Sequence, residues 1–102
     1  MNKYEVIING QNFLMEVDGK IERMGFYVTR YVEADNHEEA ELKAVYLVRN
    51  IERLKGAHLN TEDDPPMLYL EEMYEIENFD GLETLEPGIA FYNDEQESNN
   101  AT

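Results

Sequence analysis

The sequence predicts a single α+β domain in which an antiparallel sheet of about four strands carries one long helix on one face. Three observations predict this class: a hairpin signal at Asp18-Gly19, a capped amphipathic segment that begins near residue 37, and two apolar segments after it. The order along the chain is therefore β-β-α-β-β. The compact domain is expected to span residues 1–92, and residues 93–102 are expected to form a disordered acidic and polar tail.

The first two strands are predicted to form a long hairpin. Asp18-Gly19 suits a type I′ turn, which places Phe13 opposite Met24 on the partner strand. Gly10 then lies inside the first strand, where glycine usually marks a bulge or bend. A shorter hairpin that turns at Gly10 is the alternative.

The segment after the hairpin predicts a helix from about residue 37 to residue 55. Asn36 can accept a hydrogen bond at the helix start, acids follow it, and basic residues gather near the far end, as the helix dipole favours. Apolar residues recur at spacings of four and three along one stripe. The predicted stripe consists of Ala40, Ala44, Leu47, Ile51 and Leu54.

Residues 67–76 can be interpreted in two ways. The alternation of large apolar residues favours a strand, and a short helix that opens after Pro66 is the alternative. As a strand, this segment is expected to place Leu68, Leu70, Tyr74 and Ile76 on one face. Residues 89–92 predict a short last strand.

The charge of the chain is divided unevenly. All eight Lys and Arg residues lie between Lys3 and Lys55, whereas thirteen acids and no Lys or Arg follow Gly56. The formal net charge of the whole chain is −15. This imbalance argues against direct binding of nucleic acid or of an anionic membrane, and it favours a basic protein, a cation or simple solubility. No apolar run approaches the length of a membrane span and the N-terminus does not resemble a signal peptide, so a cytoplasmic location is expected.

Few residues are suited to catalysis. The chain has no Cys, and Ser98 lies in the expected tail. His37 and His58 fall at opposite ends of the predicted helix, and both are expected to be exposed surface residues. Carboxylate pairs are common but unspecific, and no EF-hand or zinc motif is present. No catalytic, cofactor-binding or metal-binding residue is predicted, no cofactor is expected, and the protein is not expected to be an enzyme.

The helix carries a second face that could bind a partner. Leu42, Val45, Tyr46 and Arg49 project away from the core stripe at 100° per residue, and a Tyr with an Arg often dominates an interface. The alternative is that residues 79–85 fold back over this face.

The leading hypothesis is a small acidic interaction protein that binds another protein or itself, as a homodimer. One alternative is a nucleic-acid-mimicking inhibitor or an antitoxin-like binder of a basic protein, and a second is a weak divalent-cation-binding domain. The acids that would form the negatively charged surface are Glu62, Asp63, Asp64, Glu71, Glu72, Glu75 and Glu77.

Overall fold

The computed structural model describes residues 1–55 and 58–94. Its elements are β1 (Asn2–Val17), β2 (Lys20–Ala34), α1 (His37–Arg49), β3 (Met67–Ile76) and β4 (Ala90–Asn93). The strands form one antiparallel sheet in the spatial order β3-β1-β2-β4, which confirms the predicted class and element order. Of the expected tail, Asn93 is the last residue of β4, and residues 95–102 lie outside the described residues.

The hairpin forms as its turn signal predicts. Asp18 and Gly19 have φ values of 51° and 82°, the two positive values that a type I′ turn requires. Phe13 lies opposite Met24, which confirms the predicted register. The register shifts between Gly10 and Phe13, so Gly10 precedes a bulge and the alternative of a shorter hairpin is wrong.

The helix begins where its capping residue predicts and ends earlier than expected. The Asn36 side-chain oxygen accepts the backbone N–H of Glu39 at 2.9 Å. The prediction that the helix reaches residue 55 is wrong, because α1 ends at Arg49. The side-chain amide of Asn50 donates to the carbonyl of Tyr46 at 2.8 Å, and the chain continues in turns that keep Leu54 buried.

One face of the sheet and the inner side of α1 share the hydrophobic core. The helix contributes Ala40, Ala44 and Val48, so the buried stripe includes Val48, while Leu47 and Ile51 pack at its border. The strands contribute residues that alternate along β1 and β2. These buried strand residues are Tyr4, Val6, Ile8, Phe13, Phe26, Val28, Val32 and Ala34.

Residues 67–76 form a strand, but the face predicted for them is wrong. Ile8 lies opposite Leu70 and Ile7 lies opposite Glu72, so Glu71 is an extra residue in the ladder. This bulge reverses the alternation, so that Leu68, Leu70 and Met73 share the helix-side face of the sheet. Tyr74 and Ile76 point to the other face, opposite Glu5 and Lys3.

The segment between β3 and β4 is fastened to the outer edge of β2. The backbone N–H of Tyr31 donates to the carbonyl of Leu85 at 3.3 Å, and the Arg30 guanidinium donates to the carbonyl of Pro87 at 2.9 Å. The edge of β2 is thereby covered both by β4 and by the residues that precede it. No helix within the described ranges is long and apolar enough to cross a membrane.

A tyrosine-rich open face as the candidate binding site

The helix covers one face of the sheet, and the other face is lined with tyrosines. Residues opposite one another on neighbouring strands share a face, and the partners of Glu5 and Asn9 on β2 and β3 are all tyrosines. Tyr92 joins them from β4. We call this surface the open face and define it by Glu5, Ile7, Asn9, Tyr27, Tyr31, Tyr69, Glu72, Tyr74 and Tyr92. Tyr27, Tyr69 and Tyr74 keep 40%, 44% and 48% of their surface exposed.

Two of these tyrosines are held by carboxylates. The Tyr31 hydroxyl donates to Glu5 Oε2 at 2.9 Å, and the Tyr74 hydroxyl donates to Glu72 Oε2 at 2.7 Å. The hydrogen bond to Glu5, followed by burial and by the negative charge of Glu5, raises the pKa of Tyr31 above 10.0. The hydrogen bond to Glu72 raises the pKa of Tyr74 in the same way. Each of these two hydroxyls therefore has a carboxylate beside it.

The other end of the open face is organised around Asn9. This side chain is buried although it lies on the face opposite the helix, and its Oδ1 accepts the Tyr92 hydroxyl at 2.9 Å. The rings of Tyr92 and Tyr27 lie 5.4 Å apart. Gly25 makes this possible, because a Cβ at that position would lie 2.3 Å from the Tyr92 ring. The glycine thus sets the position of a tyrosine on the open face.

Among the described residues, the middle of the open face carries two carboxylates and no Lys or Arg. Glu5 and Glu72 lie among the rings, whereas cations lie near the ends of the face. Lys3 packs over the ring of Phe79 at 5.8 Å, and Arg23 lies 4.0 Å from Asp64. Platforms for single-stranded nucleic acid also expose aromatic rings on a sheet, but they combine them with cations that bind phosphate. Rings with carboxylates instead match the guanidinium and ammonium groups of basic side chains.

The four residues predicted as a partner interface on the helix border two different cavities. Leu42 and Tyr46 border a groove of about 590 Å³, which Phe79 and Leu85 also line. Val45 and Arg49 border a different cavity of about 550 Å³, on the side of the helix that faces Leu68, and Val45 packs against the core. Leu42 and Tyr46 remain 71% and 67% exposed, so the segment from residue 79 to residue 85 reaches their groove without covering them.

The acids predicted to form a negative surface are spread over several places. Asp64 accepts a hydrogen bond from the Asn12 side chain at 2.8 Å and thereby fastens the loop before β3 to β1. Glu72 belongs to the open face, whereas Glu75 lies opposite Tyr4 on the other side of the sheet and Glu71 occupies the bulge. Glu62, Asp63 and Glu77 are exposed outside the strands.

The two histidines pack against core residues on the helix side of the sheet. His37 packs edge-on against Tyr4 with 5.2 Å between ring centroids, and His58 packs against Phe13 at 6.0 Å. His37 is exposed as expected, whereas His58 is half-buried, so the expectation of an exposed His58 is wrong. The open-face tyrosines were not predicted from the sequence as a binding site. The usable signal was the alternation of Tyr27 and Tyr31 with core residues of β2.

The hydrogen bond between Tyr31 and Glu5 predicts an alkaline pH dependence. Because the folded state raises the pKa of Tyr31, this bond stabilises the fold fully below about pH 10, where the unfolded tyrosine titrates, and the contribution is lost as pH rises through the raised pKa. In Glu5→Gln we expect the pKa of Tyr31 to move down toward 10.0. NMR titration of the tyrosine ring carbons measures this shift. An unchanged Tyr31 titration in Glu5→Gln would show that the carboxylate has no part in it.

Among the described residues, no three or more His, Asp or Glu side chains are grouped to hold one metal ion. Comparisons with protein-family models, with curated proteins and with solved structures find no match to this chain.

Proposed function

We propose that this protein is a non-enzymatic interaction protein that binds a basic segment of another protein on the open face. The observation that carries the proposal is the set of tyrosines on the face of the sheet opposite the helix, three of which are half-exposed, with Glu5 and Glu72 hydrogen-bonded to Tyr31 and Tyr74. Tyrosine is the residue type that supplies large contact area at a low cost in side-chain entropy, and it is enriched where proteins bind one another.

The chemistry of the face selects for positively charged side chains. An Arg or Lys lying over the ring of Tyr74 would gain a cation–π interaction, and it would also meet the carboxylate of Glu72. Each such contact contributes about 0.5–1 kcal/mol at an exposed site, so useful affinity needs several of them along an extended segment. The tyrosines are spread over β2, β3 and β4 and can supply them.

The surroundings of the face add long-range attraction. The part of the chain that forms β3, β4 and the segment between them contains no Lys or Arg, so both edge strands of the sheet come from negatively charged sequence. Such a field increases the rate at which a basic partner associates, more than it increases intrinsic affinity. Mimicry of nucleic acid is less favoured, because the acids of β3 lie on both faces of the sheet instead of forming one phosphate-like row.

The test uses a fluorescent peptide in which lysine and valine alternate, with fluorescence anisotropy as the measurement. We expect the peptide to bind, and to bind more weakly across a rising salt series, because exposed charges are screened beyond about 8 Å at physiological ionic strength. Tyr74→Ser and Glu72→Gln should each weaken binding about fivefold, as the loss of about 1 kcal/mol requires.

Matched control variants distinguish a contribution of the open face to peptide binding from a contribution of the net charge. Glu52→Gln removes the same charge as Glu72→Gln from an exposed turn after the helix, and Tyr46→Ser removes an exposed tyrosine from the helix. Both controls should bind the peptide nearly as the unaltered protein does. If a control weakens peptide binding as much as the matching open-face variant does, the effect comes from net charge or stability and not from the open face. If the peptide does not bind at low salt, the proposal is wrong. A dimer in sedimentation that Tyr46→Glu dissociates would instead favour self-association through the helix.

A further inference from the structure

We propose that the free edge of β3 receives the partner's segment as a fifth strand, one in which basic and apolar residues alternate. This inference rests on the proposed function, since it specifies how the same basic segment is held. It adds two elements to the open face: main-chain hydrogen bonds along β3, and an apolar contact on the helix side of the sheet.

The two edges of the sheet differ in what covers them. The outer edge of β2 is paired with β4 and receives Leu85 beyond it. β3 pairs with β1 along its length, and no described strand pairs with its other edge. Among the described residues, the outer edge of this ten-residue strand, Met67–Ile76, therefore has no neighbouring strand. An edge of this length is a template for an additional strand.

The register identifies the backbone groups that point outward from β3. The direction of hydrogen bonding alternates along each strand of an antiparallel sheet. Tyr31 directs its N–H away from β1 to Leu85, so Glu5, opposite Tyr31, bonds toward β3, where its partner is Tyr74. The neighbours of Tyr74, which are Met73 and Glu75, therefore direct their N–H and C=O groups to the free edge.

The side chains along this edge differ between the two faces. On the open face an added strand would lie beside Tyr69, Glu72 and Tyr74, which favours Lys or Arg. On the helix side it would lie beside a hollow of about 250 Å³, lined by His37, Glu38, Glu41, Leu70 and Met73. The floor of this hollow is apolar and its helix wall carries two carboxylates. A segment with basic residues on one face and apolar residues on the other fits both environments.

The charge of β3 argues against a second copy of this chain as the occupant. Antiparallel pairing of two β3 strands would bring Glu71, Glu72 and Glu75 of both copies together, and like charges on paired strands are destabilising. Charged side chains and a bulge are also the usual features that keep an edge strand from pairing with itself. A basic strand converts the same carboxylates from a source of repulsion into a source of attraction.

The first experiment separates main-chain pairing from attraction by charge. The lysine–valine peptide is compared with a version N-methylated at alternate residues, which keeps every charge but removes the N–H groups along one edge. Two methylated peptides are made, one methylated at every lysine and one at every valine, so that one of the two loses the N–H groups that would face β3. We expect one methylated peptide to bind about tenfold more weakly, as the loss of two or three backbone hydrogen bonds implies. Hydrogen exchange should slow at Met73 and Glu75 when the unmodified peptide binds.

The second experiment changes the protein at one position in two ways. Glu75→Pro and Glu75→Gln remove the same charge, but only the proline removes the outward N–H, and proline is tolerated on an edge strand. We expect Glu75→Pro to bind the peptide about tenfold more weakly than Glu75→Gln. Thermal melting of both variants checks the fold, and if the proline variant is unfolded, the methylated peptides still decide the question.

The outcomes distinguish the two proposals. If both methylated peptides bind as the unmodified one does and the two Glu75 variants behave alike, strand addition is wrong while binding to the open face stands. If the unmodified peptide does not bind, both proposals are wrong. A dimer that Glu75→Pro dissociates and Glu75→Gln does not would show that a second copy occupies the edge, and it would also overturn the inference.

Discussion

Gly10→Ala is expected to lower the free energy of unfolding by about 1–3 kcal/mol, a large part of the stability of a domain of this size. Gly10 lies directly opposite Phe26 in the central hairpin, and a Cβ at position 10 would lie 2.3 Å from two atoms of the Phe26 ring. Phe26 is fully buried and packs against Phe13 at 5.0 Å and Phe91 at 5.8 Å. The ring therefore cannot move aside without disturbing both neighbours.

Gly88→Ala is the matched control for this effect. A Cβ at position 88 would meet nothing within 4 Å. Alanine there should be neutral or slightly stabilising, because it reduces the freedom of the unfolded chain. Urea unfolding of both variants measures the difference, and adding Phe26→Leu to Gly10→Ala should recover part of the loss. Equal losses at the two glycines would show that the ring contact is not the cause.

Arg30→Met is expected to cost about 1.5–3 kcal/mol, because it removes charged hydrogen bonds inside the fold while keeping most of the side-chain volume. Arg30 is only 6% exposed and shares the helix-side face with Val28 and Val32. Its guanidinium donates to the carbonyls of Thr29 at 2.7 Å and Pro87 at 2.9 Å. Burial lowers the pKa of Arg30, and the nearby charge of Glu86 opposes that shift.

Arg30→Met should destabilise the contact between residues 85–87 and β2 more than it destabilises the rest of the fold. Since Arg30 and the Tyr31 amide fasten residues 85–87 to β2, hydrogen exchange at Tyr31 should accelerate more than exchange in the β1–β2 hairpin. Arg49→Met is the control, because Arg49 is exposed on the helix. A comparable loss of stability in both variants would mean that the buried hydrogen bonds contribute little.

The sequence predicted the parts of the fold that depend on local chemistry. Asp18-Gly19 determined the hairpin register, because a two-residue turn leaves one way to pair the flanking strands. Asn36 determined the helix start through its side-chain bond to Glu39. The helix end was mispredicted, because the apolar spacing continues through Leu54 although the chain is no longer helical there.

The candidate site could be predicted only in part. Alternation places Tyr27 and Tyr31 on one face of β2, but which face the helix covers is decided by packing across the whole sheet. The bulge at Glu71 has no local signal such as a glycine, and it moves Tyr74 to the opposite side of the sheet from Leu70. The sequence shows that β3 is rich in acids, but it does not show that Glu72 and Glu75 lie on opposite faces of the sheet.

The central position of the β1–β2 hairpin has a consequence for how the molecule folds. The hairpin and the helix upon it come from one continuous segment, so they can form from contacts between near neighbours in sequence. β3 and β4 must each close a long loop to reach opposite borders of that segment. The sheet is therefore expected to grow from its middle outward, with the N-terminal half, which leaves the ribosome first, serving as the nucleus for the rest.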